Sequence, residues 1–236
     1  DGLTGGKGVM VQGDHFASRQ EALAIVKSIL AEHAGVTIEE KLAGEEFSLQ
    51  CLTDGKTVVP TPPVQDHKRR FNDDKGPNTG GMGSYSCADH SLPFLKRKDL
   101  EEGLAITCQV AEALYRETGE YYRGIMYGGF MITKNGLKLL EYNARFGDPE
   151  TMNILPLLKT DFTDICQAIM AGELNSLTIE FEKKATVCKY VVPESYGLPQ
   201  EGAGGAPMPM GKAGKTGKIE IGPPGEARLY YASVDQ

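Results

Sequence analysis

The sequence predicts an α+β chain with a largely antiparallel sheet, and three observations carry that prediction. Two segments, 19–34 and 99–118, show helical apolar spacing with start and stop signals. Two tight-turn signals, Asp54-Gly55 and Asn135-Gly136, each join a pair of strand-like runs. The chain is 236 residues long with 40% hydrophobic and 24% charged residues, enough apolar material for a globular core.

In chain order, Ala22, Ile25, Val26, Ile29 and Leu30 make one apolar helix face. Ser18 and Glu21 form a capping box before it, and Gly35 is its expected stop. Val36 to Glu40 reads as a strand. Glu46–Thr53 and Thr57–Val59 flank the first turn signal. Residues 60–90, rich in Pro, Gly, Asp and Asn, carry no periodicity and read as one long functional or disordered loop. Asp99 and Glu102 open the second helix and Gly119 closes it. Gly124–Thr133 and Leu137–Tyr142 form the second hairpin. Asp148-Pro149-Glu150 opens a further helix with Pro149 at its first position. Asp161 opens another that runs to about Ala171. From 185 onward short strands alternate with Gly- and Pro-rich turns, which places a domain boundary near 184.

Composition excludes several classes of function. A net charge of −7 opposes general binding to nucleic acid or anionic membrane, so any phosphate site must be local. No apolar run is long enough to span a bilayer. Five scattered cysteines without a Cys-x-x-Cys pair read as reduced thiols, which points to the cytoplasm. The chain opens at Asp1 in a Gly-rich loop and ends in a strand-like run, so it reads as part of a longer polypeptide.

The most informative run is Glu141-Tyr-Asn-Ala-Arg-Phe-Gly-Asp-Pro-Glu150. If the strand extends through Arg145, then Glu141, Asn143 and Arg145 point to one face. An acid, an amide oxygen and a guanidinium together suit Mg²⁺ and phosphate. A strand end with a solvated, salt-bridged face is the alternative. Residues 65–83 contain Gln-Asp-His-Lys-Arg and Gly-Pro-Asn-Thr-Gly-Gly-Met-Gly. Lys68 and Arg69 can neutralise an anionic substrate, and Thr79 to Gly83 offer free backbone N–H groups. The density of this pattern weakens the alternative of a mobile loop with solvated charges. Glu39-Glu-Lys-Leu-Ala-Gly-Glu-Glu46 reads as an exposed acidic turn, or as an adenosine site. Asp1-Gly-Leu-Thr-Gly-Gly-Lys-Gly8, taken alone, reads as a glycine-rich hairpin turn, although its amides and Lys7 would also suit phosphate.

Together these five segments resemble the ATP-grasp enzymes and, within them, the phosphoribosylamine–glycine ligase family. The resemblance covers about two-thirds of the chain. It implies an ATP-grasp domain over 1–184, with a lid part at 1–42 and a main antiparallel-sheet part at 43–184. A small, incomplete β-rich C-terminal domain would follow at 185–236. The implied activity joins glycine to phosphoribosylamine with ATP and Mg²⁺ or Mn²⁺, an early step of purine synthesis. Implied partners are these small molecules and an N-terminal domain of the same polypeptide, with no nucleic acid or membrane. The fragment alone is expected to be inactive, because a family lysine before Asp1 is missing.

The resemblance also implies roles. Gly5, Gly6, Lys7 and Gly8 would cover the ATP phosphates. Glu39, Lys41 and Leu42 would form the adenine hinge, and Glu46 would hold the ribose. Glu141 and Asn143 would be the metal ligands. Asp66, His67, Lys68, Asn78, Thr79, Gly80, Gly81, Arg145, Gly147 and Asp148 would bind substrate, with Lys68, Arg145 and Asp148 catalytic. Two competing readings are a carboxylase-type ATP-grasp enzyme that phosphorylates bicarbonate, and a nucleotide-binding module without catalysis. The first has no evident use for the 65–83 loops, and the second none for a metal pair beside Arg145.

Overall fold

The computed structural model describes residues 9–73, 75–192, 196 and 225–232. Helix α1 spans Arg19–Glu32, and its start follows the expected capping box. Ser18 Oγ accepts from the Glu21 N–H at 3.2 Å, and the Glu21 carboxylate accepts from the Ala17 N–H at 2.7 Å. The helix stops before Gly35: His33 turns extended and donates its N–H to the Ile29 carbonyl at 2.8 Å. No α1 residue is buried. Val36–Glu40 is not a strand. A strand needs a neighbour for its backbone groups, and no described residue pairs with this segment.

The central sheet is antiparallel, in the order β2-β1-β7-β8. Its strands are β1 (Gly44–Thr53), β2 (Val58–Pro60), β7 (Gly124–Thr133) and β8 (Gly136–Asn143). The Asp54-Gly55 turn forms as expected. Asp54 is 1% exposed, and its Oδ1 accepts from the N–H groups of Lys56 and Thr57 at 2.9 and 2.7 Å. Its Oδ2 accepts from the Leu174 N–H at 2.9 Å, tying the hairpin to a segment 120 residues away. Alternation along β1 sends Phe47, Leu49 and Cys51 into a core with Ala111, Met126, Phe130 and Leu137. Helix α2 (Arg97–Thr118) covers that face. Asp99 stands one turn inside it and accepts from the Lys96 N–H at 2.8 Å, while Gly119 ends it with φ +74°. A smaller core gathers Leu52 with Ile165, Ile169 and Leu174. Ile165 and Ile169 lie on α4 (Phe162–Ala171), which Asp161 caps by accepting from the Thr163 N–H at 2.7 Å.

Segment 60–90 corrects the expectation of a structureless loop. It holds β3 (Gln65–Asp66), β4 (Arg69–Phe71), β5 (Lys75–Asn78) and β6 (Gly83–Ser86). Strands of two to four residues broken by Gly are too short to show a period of two. A three-stranded sheet runs β3-β6-β9, with β9 at Thr186–Lys189. Gly83 makes the last pairing possible: a Cβ there would lie 2.5 Å from the Cys188 carbonyl oxygen. β9 begins just beyond residue 184 and is hydrogen-bonded to a strand before it. Pro149 also departs from expectation. It sits in a turn after a cis Asp148–Pro149 bond, and helix α3 covers only Thr151–Ile154.

Candidate functional site

Strand register assembles the site. On β1, Glu46, Ser48 and Gln50 point away from α2, because Phe47, Leu49 and Cys51 point toward it. Opposite Ser48 and Gln50 on β7 stand Gly129 and Tyr127. Opposite those on β8 stand Glu141 and Asn143. Directly opposed residues share a face, so Glu46, Ser48, Gln50, Tyr127, Glu141 and Asn143 form one polar sheet face.

A β-bulge makes this possible. Phe130 pairs with Leu139 and Gly129 with Glu141, leaving Leu140 as the extra residue. With a strict period of two, Glu141 would fall on the α2 side with Leu137. Instead Tyr142 takes that side, its hydroxyl 2.8 Å from Thr107 Oγ1, and Glu141 returns to the polar face. Glu141 and Asn143 touch: the Asn143 amide nitrogen donates to Glu141 Oε1 at 3.3 Å. One carboxylate and one amide oxygen are a donor set that Mg²⁺ accepts, with phosphate and water completing its shell. Rotation of the Asn143 amide presents its oxygen beside Glu141. Among the described residues no group of three or more His, Cys, Asp or Glu is placed to hold a metal. Arg145 does not continue the series. The strand ends at Asn143, and the guanidinium donates to the Phe146 carbonyl at 2.9 Å.

The second wall comes from the short strands. Lys68 Nζ lies 3.6 Å from Glu46 Oε2, which brings a residue expected at the substrate to one expected at the ribose. Asp66 is partly buried, and its Oδ1 has no hydrogen-bond partner. Burial above all, then the negative Glu150, pushes its carboxyl up to about 7; Lys68 opposes this. The His67 ring stacks on Tyr85 at 6.0 Å. The amides of Thr79, Gly81 and Met82 are not the free donors that the sequence suggested. The Thr79 N–H donates to the Lys68 carbonyl at 2.8 Å, Gly81 to Thr79 Oγ1 at 3.1 Å, and Met82 to the His67 carbonyl at 2.8 Å. A loop with two glycines satisfies its own backbone here by folding against the 67–69 segment. The backbone of Asn78 pairs with Arg69, and Gly80 is exposed.

The third wall is the 145–150 loop, held from below by residues that the motifs did not single out. The Gly147 N–H donates to Gln50 Oε1 at 2.9 Å, and the Tyr127 hydroxyl donates to Glu150 Oε1 at 2.7 Å. Gln50 and Glu150 are 0% and 2% exposed, and Gln50 Nε2 has no partner. Burial, then Glu150, pushes the Tyr127 phenol up. Asp148 is exposed and accepts a hydrogen bond from the Tyr190 hydroxyl. A signal for Gln50 was visible, a long amide between the core residues Leu49 and Cys51 of β1. Glu150 closed a quoted motif without receiving a role.

Of the nucleotide-side residues, Lys41 donates to the Gln12 carbonyl at 2.5 Å. Glu39 is exposed and Leu42 half-buried. Gly5, Gly6, Lys7 and Gly8 lie outside the described residues. Asp14, from the 9–42 segment, reaches Arg69 at 3.9 Å. No helix among the described residues is long and apolar enough to cross a membrane.

Comparison with known proteins gives the family and the fold. A phosphoribosylamine–glycine ligase from Methanocella arvoryzae is 52% identical over 235 residues, covering 100% of this chain and 51% of that protein. The same enzyme from Methanosarcina barkeri is 48% identical over 99% of this chain and 51% of its own length. The chain thus spans about half the length of the curated relatives it matches. The crystal structure of the phosphoribosylamine–glycine ligase of Thermotoga maritima superposes with a TM-score of 0.55 at 30% identity, covering 74% of this chain and 45% of that one. A biotin carboxylase from Campylobacter jejuni superposes with a TM-score of 0.52 at 16% identity over 79% of this chain and 39% of its own, a likeness of fold alone. The mixed helices and antiparallel sheets are an α+β ATP-grasp fold. A family model described as phosphoribosylglycinamide synthetase, ATP-grasp (A) domain, matches residues 1–151, and the chain belongs to that family.

Proposed function

We propose that the intact protein uses ATP to join glycine to phosphoribosylamine, giving glycinamide ribonucleotide, ADP and phosphate. A carboxylate is a poor electrophile because oxide would have to leave. Attack of the glycine carboxylate on the terminal phosphorus of ATP releases ADP and leaves glycyl phosphate. The amine of phosphoribosylamine then attacks the acyl carbon, phosphate departs, and the nitrogen loses a proton. Such chemistry asks the protein mainly to position reactants and offset phosphate charge.

The observation that supports this reading best is the Lys68–Glu46 contact at 3.6 Å. It joins the 65–83 segment to the sheet face that carries Glu141 and Asn143. In this reading Glu141 and Asn143 hold Mg²⁺ or Mn²⁺, which draws charge from the phosphates. Lys7 with Gly5, Gly6 and Gly8 covers those phosphates. Glu39, Lys41 and Leu42 meet adenine, and Glu46 meets ribose. Lys68, Arg145 and Asp148 serve the reacting groups. Asp66, His67, Asn78, Thr79, Gly80, Gly81 and Gly147 shape the substrate side. Residues 1–42 act as the lid, the main part runs from 43 and takes in β9, and the β-rich domain follows it. The reaction takes place in the cytoplasm.

The test is ADP release by the intact protein with ATP, Mg²⁺ and phosphoribosylamine, offering glycine or bicarbonate. Release that requires both glycine and the amine is expected. Release with bicarbonate alone would favour the carboxylase-type reading, and none with either would refute ligase activity.

A further inference from the structure

Beyond residue 151, where the family match ends, the chain returns to the site. β9 pairs with β6 from Gly83↔Lys189 to Ser86↔Thr186. The next residue, Tyr190, donates its N–H to the Met82 carbonyl at 3.2 Å. Its hydroxyl donates to Asp148 Oδ1. Farther on, the Tyr196 hydroxyl donates to the Gly81 carbonyl at 3.3 Å, and Arg70 donates to the Tyr196 carbonyl. At the other end of β9, the buried Asn153 amide donates to the Thr186 carbonyl and Oγ1, both at 3.2 Å. β9 with Tyr190 and Tyr196 therefore meets the 79–83 loop at Gly81, Met82 and Gly83, and the 145–153 segment at Asp148 and Asn153.

We propose that Tyr190 is a positioning residue: its hydroxyl fixes the Asp148 carboxylate, and the strand carrying it locks the 79–83 and 145–150 loops into one substrate-side unit. This rests on the proposed function, in which both loops face substrate. The physical case is one of exposure. Asp148 is exposed and Tyr190 half-buried, so this bond adds little to stability in water-screened surroundings. A lone exposed carboxylate samples several rotamers. A hydroxyl donor on one oxygen selects one of them and leaves the other oxygen for a substrate donor, an ammonium or a hydroxyl. Hydroxyl-to-carboxylate bonds are among the stronger class. Burial, and the Asp148 carboxylate it bonds, push the Tyr190 phenol up, so it keeps its proton and stays a donor. Gly81 stands at the join. A Cβ there would lie 3.1 Å from Pro149 Cδ and 3.4 Å from Asp66 Oδ1, so a side chain at that position would press the two loops apart by a few tenths of an ångström, on a backbone with φ +139° that favours glycine.

The test is Tyr190→Phe in the intact protein, with KM measured for each substrate in turn. The expected result is a rise of about tenfold for glycine or phosphoribosylamine, the loss of one charge-assisted bond. KM for ATP and the melting temperature should stay at wild-type values. Combining Tyr190→Phe with Asp148→Asn should be no worse than Asp148→Asn alone, because the hydroxyl acts through that carboxylate. Equal rises for ATP, additive effects, or a fall in melting temperature with unchanged KM would each overturn the proposal. A wild type without glycine-dependent turnover would refute the ligase reading instead. Hydrogen exchange of the 145–150 amides then decides the tether by itself: faster exchange in Tyr190→Phe supports it, and unchanged exchange overturns it.

Discussion

Gly147→Ala should destabilise the protein by about 3 kcal/mol, and the structure supplies each part of that figure. A Cβ built on Gly147 lies 2.3 Å from Glu150 Oε2 and 2.7 Å from Tyr127 Cε2. Ordinary contact is near 3.4 Å, so the carboxylate must retreat by about 1 Å in a tightly packed site. It has little room, since Glu150 is 2% exposed and its other oxygen is held by the Tyr127 hydroxyl at 2.7 Å. Overpacking of this kind costs about 1–3 kcal/mol. Losing the hydroxyl on a buried carboxylate adds about 1–3 kcal/mol. The Gly147 N–H bond to Gln50 at 2.9 Å is threatened by the same shift. Backbone strain adds nothing, because Gly147 is not among the glycines with positive φ. For a unit of this size its own unfolding transition should move down by about 6–12 °C, read by calorimetry on the intact protein. Tyr127→Phe alone should cost about 1 kcal/mol. Gly147→Ala on the Tyr127→Phe background should cost less than on wild type, since the bond it breaks is already gone. A fall under about 2 °C, or strict additivity of the two changes, would refute the packing reasoning.

Three further outcomes follow from the same geometry. Glu141→Gln should remove most activity while the melting temperature holds, because Glu141 is exposed; near-wild-type rates at saturating Mg²⁺ would take it out of the metal site. Lys68→Ala should raise KM for phosphoribosylamine about ten- to a hundredfold. An equal rise for ATP would instead assign Lys68 to the nucleotide through its partner Glu46, and no rise would make it a solvated surface charge. Asp66 carries a pH signature. Its carboxyl sits up at about 7 in the fold against 3.8 when free, so folding favours the protonated form. The stability this contributes is full below pH 3.8, falls as pH rises toward 7 and is gone above it. Asp66→Asn should therefore match wild type in melting temperature near pH 4 and exceed it at pH 8, and curves that stay parallel across that range would refute the assignment.

What the sequence made legible was whatever is local. The capping box at Ser18 and Glu21, the Asp54-Gly55 and Asn135-Gly136 turns and the Gly119 stop are local devices, complete within a few residues. Each appears where its residue types require it. The failures are of another kind. Val36–Glu40 has strand composition, but a strand is defined by a partner. The 60–90 segment lacks a period because its strands are two to four residues long. Thr79–Gly83 looks like a row of free donors until the fold brings the 67–69 segment against it.

The same distinction divides the site itself. Glu141, Asn143, Asp66 and Lys68 are polar residues in dense motifs, and such motifs can be read without coordinates. Gln50, Tyr127, Glu150 and Tyr190 hold those motifs in place through bonds spanning 97, 23 and 42 residues, and no local pattern announces a bond of that length. The β8 bulge lies between the two cases. Leu137 and Leu139 alternate on one face, and then Tyr142, not Glu141, takes up the apolar position. That change of parity within six residues is written in the sequence, and a strict period of two would have sent Glu141 into the core beside α2. An acid predicted to be buried without a partner is itself the sign that the period breaks there, since the desolvation of an unpaired carboxylate exceeds what one shifted residue in a ladder costs. Deleting Leu140 should therefore leave metal-dependent activity largely in place, because it removes only the extra residue and keeps Glu141 opposite Gly129 on the polar face, whereas inserting one residue between Leu140 and Glu141 should abolish it by sending Glu141 to the α2 side.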